Sequence, residues 1–468
     1  MHDDRPYDIV LFGATGFTGA LTADYLARNA GPSVRWALAG RNRARLEAVR
    51  ERIGLPGLPL LHADVTDPAS LVEIARQARV VATTVGPFLS YGEPLVAACA
   101  DAGTHYADIT GESEFVDRMF IRHHERARRT GAKIVHSCGF DSIPHDLGAY
   151  FTVKHLPQGV PLEVSGFVRA SAAASSGTMH SAVMALSRFR RSAEAARLRR
   201  ELEGNPWRRS ATGPTTGSAT TADSATGVTA SPAAGSAAGS ATETTAGSTT
   251  VSATGTTAGS TTGTTAGSAT ASGTTAGSAT PIGAVPASGS RKARGGPGSL
   301  RYVGGWALPL PTIDPQIVAR SARALECYGP DFTYRHHLAV KQLPAALGLA
   351  AGAGALALLA RIPPARSLLL RRFALGDGPG VEQRARSWFK VTFLGQGGGA
   401  RVVTEVAGGD PGYGETAKML GESALCLATD DLPDVSGQVT TAVAMGDALI
   451  GRLRRAGITF TVLSDSRK

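Results

Sequence analysis

The segment GATGFTG contains three glycines at intervals of three residues, directly after the short apolar run IVLF. A buried strand, a tight turn and a helix are predicted here. In such a turn the first glycine permits the bend, the second lets a phosphate approach the backbone, and the third lets helix and strand pack closely. The N–H groups and dipole of a helix N terminus favour an anion. We expect this turn to hold the pyrophosphate of a dinucleotide through Gly13, Thr15, Gly16, Phe17, Thr18 and Gly19.

The end of the second predicted strand indicates which dinucleotide is bound. Arg41 stands where a carboxylate would hydrogen-bond the ribose 2′-hydroxyl of NAD, and a guanidinium pairs a 2′-phosphate instead. This favours NADP(H), although a surface arginine at a helix start is the alternative. Asp64 ends the third strand and is expected near the adenine or at a helix entry. Gly86 and Pro87 follow the fourth strand and are expected beside the nicotinamide.

Three side chains after later strands are candidates for delivering a proton during reduction. Tyr91, Asp141 and His145 all follow predicted strand ends, where open α/β sheets bind ligands. Each has an ordinary alternative: Tyr91 packs in its loop, Asp141 caps the following helix, and His145 is structural. No Ser/His/Asp triad or metal-ligand cluster is visible. The adjacent His336 and His337 would point to different sides of a strand.

Apolar strands alternate with amphipathic helices over roughly the first 140 residues. This order predicts an α/β fold with a Rossmann-type, doubly wound parallel sheet. After Ser142 the pattern changes, and residues 162–170, 387–396 and 400–408 alternate as half-exposed strands do. They predict a second α+β domain with a mixed or antiparallel sheet. A helix near 415–429 and a strand at 458–463 are expected at the end.

The 468 residues divide by composition into four segments. Residues 1–145 are expected to form the dinucleotide-binding domain, and 146–209 and 296–468 the two parts of the substrate domain. Residues 210–295 are almost entirely Ala, Gly, Ser and Thr, which predicts a disordered insertion to which we assign no role.

The chain carries a net charge of +10, without any RNA-binding motif or recognition-helix pattern, so no nucleic-acid partner is expected. Four widely spaced cysteines and no signal-peptide pattern favour a cytoplasmic protein.

Residues 342–360 contain no charged side chain and are flanked by Lys341, Arg361 and Arg366. Nineteen uncharged residues reach the length of a membrane span, but their Ala and Gly content makes insertion weak. A buried helix is the preferred interpretation. A helix at the membrane surface, giving peripheral membrane contact, and a true span are the alternatives.

Several motifs together resemble a known family. GATGFTG, AGR, TVGPFLSYGEPLVAACADAGTHYADITGE and SCGFDSIPHDLG resemble the saccharopine dehydrogenase-like oxidoreductases, and within them the trans-acting enoyl reductases. The late segments GYGETAKM and AMGDALIGRLRRAGITF match the same pattern. The resemblance covers about residues 1–185 and 300–468, and so excludes the insertion.

The resemblance implies an NADP-binding Rossmann domain and reduction of a carbon–carbon double bond in a lipid-like or polyketide acyl substrate, free or carrier-bound. Backbone N–H groups near Gly139 and Phe140, or the Tyr91 hydroxyl, would then stabilise the enolate. Two alternatives stay open. One is a saccharopine-type dehydrogenase that reduces an imine, and the other is a non-catalytic, NADP-binding, membrane-associated protein.

Overall fold

The computed structural model describes residues 4–171, 183–184, 186–204, 292–295, 301–302, 305–372 and 378–466. The predicted disordered insertion, 210–295, lies outside these residues except at its last four positions. The described chain forms two sheets with helices packed on them.

The first sheet has seven parallel strands in the order β14-β6-β5-β4-β1-β2-β3. Its strands are β1 Tyr7–Phe12, β2 Trp36–Gly40, β3 Leu60–His62, β4 Ala78–Thr83, β5 His105–Asp108, β6 Lys133–Val135 and β14 Gly437–Val439. The helices between them are α1 Phe17–Asn29, α2 Arg43–Arg52, α3 Pro68–Gln77, α4 Phe88–Tyr91, α5 Glu93–Ala102, α6 Ser113–Thr130 and α7 Ile143–Val153.

Strand β1 shows why these residues form a central parallel strand. Ile9 and Leu11 pack into one apolar core and Val10 and Phe12 into another, so the strand is buried on both faces. An apolar run without alternation is the pattern of a parallel strand covered by helices on both sides. The predicted doubly wound α/β fold is confirmed.

The second sheet is mixed, with the order β15-β13-β12-β7-β11-β10-β9 and β8 paired to β11. Strands β7 and β11 pair in parallel, whereas β12 pairs antiparallel with both β7 and β13. Its strands are β7 Leu162–Ser171, β8 Lys292–Gly295, β9 Arg301–Tyr302, β10 Gly305–Pro309, β11 Asp331–Val340, β12 Trp388–Gly397, β13 Ala400–Gly408 and β15 Thr459–Asp465. The strands predicted at 162–170, 387–396, 400–408 and 458–463 are all present, and the mixed sheet is confirmed.

The remaining helices lie in the second half of the chain. They are α8 Phe189–Gly204, α9 Asp314–Ala324, α10 Leu343–Leu359, α11 Pro363–Arg372, α12 Val381–Arg386, α13 Gly414–Thr429, α14 Thr441–Ala444 and α15 Gly446–Arg455, with a 3₁₀ turn at Glu326–Tyr328. Helix α13 packs on α1 and on β1, β4 and β5 of the first sheet.

The assignment of all of residues 296–468 to the second domain needs correction. Strand β14 pairs with β6, and α13 covers the first sheet, so the segment from α13 to β14 returns to the dinucleotide-binding half before β15 rejoins the second sheet. Without β14 the N–H and C=O groups on the outer side of β6 would form an open sheet edge. The chain therefore returns from the second domain to the first after β13, which a single domain boundary near residue 145 does not allow.

Helix α10 is exposed, so the preferred interpretation of residues 342–360 as a buried helix is wrong. Only Ala346 within it is buried, and Leu347 and Leu358 are 62% and 65% exposed. The helix is apolar on all sides, and its main contacts among the described elements are with β10 and β11. Within the described ranges no single helix is long and apolar enough to cross a membrane, although α10 with 363–370, bent by 115°, meets that length and composition as a pair.

Candidate functional site

A cleft of about 590 Å³ lies at the carboxyl ends of the strands of the first sheet. This is the edge where open α/β sheets bind their ligands. All ten residues predicted to bind the cofactor line it, namely Gly13, Thr15, Gly16, Phe17, Thr18, Gly19, Arg41, Asp64, Gly86 and Pro87. Two of the three predicted catalytic residues, Tyr91 and Asp141, line it as well.

The glycine turn has the close contacts that its sequence predicts. Gly13 has φ +94°, a conformation that other residues rarely adopt. A Cβ on Gly19 would lie 2.1 Å from the Gly13 carbonyl oxygen and 2.7 Å from Thr84 Oγ1. Glycine at 19 is therefore what allows α1 to begin directly against the end of β1.

Gly16 has a different role from its two neighbours, because a Cβ there would meet its nearest atom only at 3.5 Å. Gly16 precedes α1, and no side chain caps that helix. The first-turn N–H groups of an α-helix have no partner within the helix. The first turn lines the cleft through Phe17, Thr18 and Gly19, so it fits a pyrophosphate.

Arg41 is exposed at the end of β2 and is the one cationic side chain among the residues that line the cleft in the described ranges. Its position fits a 2′-phosphate. Asp64 accepts hydrogen bonds from the backbone N–H and the hydroxyl of Thr66, both at 2.9 Å. These bonds are the main cause of a lowered pKa for Asp64, to which Arg41 adds. Asp64 therefore closes a turn at the adenine end of the cleft.

Tyr91 lies at the end of the short helix α4 and is 45% exposed. None of the described side chains forms a hydrogen bond with its hydroxyl group. The helix is held by Glu112, whose carboxylate accepts the N–H groups of Phe88 at 3.0 Å and Leu89 at 2.8 Å. Burial raises the pKa of Glu112. Glu112 follows β5 in the motif TGE, a position that makes it a candidate from the sequence, although it is not among the three predicted catalytic residues.

Asp141 lies in the loop between β6 and α7, and its carboxyl group lies directly against Gly111. A Cβ on Gly111 would come 2.8 Å from Asp141 Oδ2. Helix α7 has no side-chain cap, so the alternative of Asp141 as a helix cap is wrong. Burial, followed by the negative charge of Asp314, raises the pKa of Asp141 to about 7. The protonated form of Asp141 therefore persists to a higher pH than is usual for an aspartate.

His145 lies behind the cleft and does not line it. It is 2% exposed in the first turn of α7, and its Nδ1 is 2.9 Å from Asp314 Oδ1. His336 of β11 lies against the same carboxylate, with Nε2 3.4 Å from Oδ2. Neither Asp314 nor His336 could be predicted as a neighbour of His145, because they lie 169 and 191 positions further along the chain. A direct catalytic contact by His145 is not what this geometry supports.

The opposite wall of the cleft comes from the segment before and within α13. Pro411, Gly412, Tyr413 and Thr416 line it. The Tyr413 ring meets the Phe17 ring edge to face at 4.8 Å. Thr416 Oγ1 accepts the Phe140 N–H at 3.1 Å and donates to the Pro411 carbonyl oxygen at 2.7 Å. These residues were missed as site residues, although GYGETAKM stood out as a motif.

Comparison with protein families agrees with this site. Residues 9–135 match the family described as Saccharopine dehydrogenase NADP binding domain. This match includes the glycine turn, Arg41, Asp64, Gly86 and Pro87. The chain therefore carries an NADP-binding domain of an oxidoreductase.

Three curated relatives are similar to this chain. A Mycobacterium tuberculosis protein, provisionally named a trans-acting enoyl reductase, is 35% identical over 475 residues, 97% of each chain. A trans-acting enoyl reductase of Mycobacterium ulcerans is 34% identical over 477 residues, also 97% of each chain. A further trans-acting enoyl reductase of Mycobacterium tuberculosis is 52% identical over 149 residues, 31% of this chain and 35% of that protein.

Among solved structures, the apo saccharopine dehydrogenase (L-Glu forming) of Saccharomyces cerevisiae is similar at 11% identity. The similarity covers 97% of this chain and 99% of that chain, with a TM-score of 0.49.

Proposed function

We propose that this chain, which belongs to the saccharopine dehydrogenase-like oxidoreductases and within them to the trans-acting enoyl reductases, is an NADPH-dependent reductase of a carbon–carbon double bond in an enoyl acyl substrate. Relatives that carry the name trans-acting enoyl reductase match 97% of the chain. The observation that carries the proposal is Asp141, a carboxyl group in the wall of an NADP-binding cleft whose pKa is raised chiefly by burial.

The cofactor residues are arranged for a reduced dinucleotide. The α1 N terminus and the glycine turn would hold the pyrophosphate, and Arg41 the 2′-phosphate. Bound NADPH supplies the hydride, which enters the β-carbon of the enoyl group. Gly86 and Pro87 line the cleft near Tyr91, so the reacting end of the substrate would lie between these residues and Asp141.

The remaining proton is delivered by the protein. As the hydride arrives, electrons of the double bond move toward the carbonyl oxygen and an enolate forms. Asp141 in its acid form donates its proton to the α-carbon and becomes a carboxylate, which solvent reprotonates before the next cycle. A general acid is most effective when its pKa is close to the working pH, which fits a value of about 7.

The enolate oxygen needs a hydrogen-bond donor. The Phe140 N–H already donates to Thr416, so it is not available for this purpose. Tyr91 lines the cleft with a hydroxyl group to which no described side chain is bound. We therefore assign enolate stabilisation to Tyr91 and proton donation to Asp141.

The cleft suits an acyl chain better than an amino acid. A saccharopine-type substrate carries several carboxylates and needs several cationic anchors. Arg41, at the adenine end, is the one cation among the described lining residues. The apolar residues that line the cleft include Phe88, Ile109, Phe140 and Tyr413. We propose a lipid-like or polyketide acyl substrate, delivered on a carrier, because relatives are named trans-acting.

The decisive assay follows NADPH oxidation with a 2-enoyl thioester, compared with an amino-acid semialdehyde plus glutamate. We expect turnover with the thioester only. Turnover only with the second mixture would replace this proposal by imine reduction. NADPH binding without turnover of any acceptor would favour a non-catalytic protein.

The helices α10 and α11 support a second part of the proposal, peripheral binding to anionic membranes. Leu347, Leu358 and Leu368 are 62%, 65% and 69% exposed. A helix that docks on a protein keeps a polar face toward solvent, whereas α10 is apolar on all sides. Exposed Lys341 and Arg361 flank it and suit anionic headgroups. We propose that the protein works in the cytoplasm at such a surface.

Vesicle co-sedimentation tests this part. Wild-type protein should bind vesicles that contain phosphatidylglycerol more strongly than vesicles of phosphatidylcholine alone. The triple variant Leu347→Ser, Leu358→Ser, Leu368→Ser should lose this binding. The control Leu463→Ser, which changes a leucine of β15 that is 53% exposed, should keep it. Equal binding by wild type and triple variant would contradict the proposal.

A further inference from the structure

Three buried side chains with metal-ligating atoms meet behind the cleft, although the sequence shows no metal-ligand cluster. His145 begins α7, Asp314 begins α9, and His336 lies in β11. Their ligand atoms all lie within 4.8 Å of one another, and the three residues are 2%, 2% and 6% exposed. From this geometry we infer a binding site for a divalent transition-metal ion of the zinc type.

The unsatisfied atoms of the cluster are the first argument. His145 Nδ1 and Nε2, Asp314 Oδ1 and His336 Nε2 are all buried, and none of them forms a hydrogen bond. His145 Nδ1 and Asp314 Oδ1 are only 2.9 Å apart, so they are close enough for a hydrogen bond. Their relative orientation, and not the distance, prevents it. Buried polar atoms are rarely left unsatisfied.

Coordination of one ion by both atoms would explain this orientation. Two ligands of one tetrahedral ion with bonds of about 2.0–2.1 Å lie about 3.3 Å apart, and each lone pair points at the ion and not at the other ligand. The His336 Nε2 to Asp314 Oδ2 distance of 3.4 Å matches this spacing. Two imidazoles and one carboxylate are a donor set that zinc accepts, with one position left open.

Outer hydrogen bonds hold two of the ligands in place. Tyr334 Oη lies 3.1 Å from His336 Nδ1, so Nδ1–H can donate to it and leave the Nε2 lone pair free for an ion. Thr312 Oγ1 donates to Asp314 Oδ2. Metal-ligating histidines regularly donate their second N–H to such a partner, which fixes the ring orientation.

The negative charge of Asp314 also favours a bound cation. Asp314 is a buried carboxylate, and no Lys or Arg of the described chain forms an ion pair with it. Arg320, six residues further along α9, pairs with Glu203 instead. Its ion-pair partners in the described chain are His145 and His336, which compensate its charge only when they are protonated. A bound cation would compensate the carboxylate while both imidazoles stay neutral. The ion would also join α7, α9 and β11 behind Phe140, whose ring meets His145 at 5.5 Å.

The test is metal analysis of the full chain by inductively coupled plasma mass spectrometry, as purified and after chelation and reloading with Zn²⁺. We expect about one zinc per chain, and a fall in Tm when a chelator is added. Asp314→Asn and His336→Gln should lose the zinc. Tyr334→Phe should weaken binding about 10–100-fold. The control His337→Gln should keep it, because His337 instead stacks on Phe167 at 5.2 Å.

Co²⁺ substitution of the wild-type chain provides a readout that does not depend on the variants folding. Visible absorption bands of four-coordinate Co²⁺ should appear and then disappear when Zn²⁺ is added. Two outcomes would overturn the inference. One is wild-type protein that takes up neither ion and shows no Tm response to chelator. The other is Asp314→Asn protein that is folded by circular dichroism and binds zinc as wild type does.

Discussion

The two walls of the cleft are built in different ways. The wall that is proposed to hold NADP comes from consecutive strand ends, so its glycines, Arg41, Asp64 and Gly86 recur with the alternation of strands and helices along the chain. The opposite wall comes from Pro411–Thr416, which approaches from the far end of the sequence. Asp141 lies between them, with its pKa raised by burial and by Asp314 of a third segment. Cofactor binding is thus local in sequence, whereas the proton donor depends on tertiary contacts.

The largest expected effect is at the junction of the two walls. Asp141→Asn removes the proton donor, so kcat for enoyl reduction should fall about 10²–10⁴-fold, the usual contribution of a general acid. NADPH affinity should be retained. Wild-type kcat should fall as pH rises through about 7, because the acid form is lost there. A variant with unchanged kcat and an unchanged pH profile would assign the proton to Tyr91 or solvent.

Gly19→Ala tests the wall proposed to hold NADP, because it introduces a Cβ atom into the tight glycine turn. The new Cβ would lie 2.1 Å from the Gly13 carbonyl oxygen, so we expect a loss of unfolding free energy of about 3 kcal/mol and loss of NADPH binding. Gly16→Ala is the matched control, since its Cβ meets nothing closer than 3.5 Å. Thermal melts of both variants measure the difference, and equal Tm values would be inconsistent with the tight turn.

Burial of Asp141 should also appear in stability against pH. Its folded pKa of about 7 lies above the unfolded value, so the unfolded state loses the proton first and stability declines from about pH 4 to about pH 7. Asp141→Asn lacks this decline. It should therefore be more stable than wild type above pH 7, by up to about 4 kcal/mol, and equally stable near pH 4. Identical melting curves at both pH values would show that Asp141 is well solvated.

Arg41→Ala tests whether the protein distinguishes NADPH from NADH through Arg41. The variant loses a charged hydrogen bond to the 2′-phosphate, so NADPH affinity should fall by roughly 1.5–3 kcal/mol while NADH affinity hardly changes. Titration calorimetry with both cofactors measures this. The same loss for NADH would mean that Arg41 does not read the 2′-phosphate.

Thr416→Val gives the smallest effect and tests the distant wall. It removes one hydrogen bond to the Phe140 N–H and another to Pro411, at a cost of about 1 kcal/mol. We expect KM for the enoyl substrate to rise while NADPH affinity stays the same. A variant that lost NADPH affinity without any change in KM would place Thr416 on the cofactor side.

Much of this cleft could be predicted because parallel strands end at one edge of a sheet. Six of the predicted site residues each follow a strand, so predicting the strands was enough to place them at one edge of the sheet. They are Gly13, Arg41, Asp64, Gly86, Tyr91 and Asp141. The exposed α10 could not be predicted, because an apolar run has the same composition whether protein or lipid covers it. The return of β14 to β6 was also missed, since a strand of three residues has no periodicity to detect.

The sequence by itself determined the Rossmann fold, the NADP site and the family, because those depend on short-range spacing and on motifs within single β/α units. Only the tertiary structure decided that the pKa of Asp141 is raised, that the Phe140 N–H donates to Thr416, and that His145 meets Asp314 and His336. A pKa or a ligand set depends on what surrounds an atom in space, and here the neighbours come from segments more than 160 residues apart in the chain.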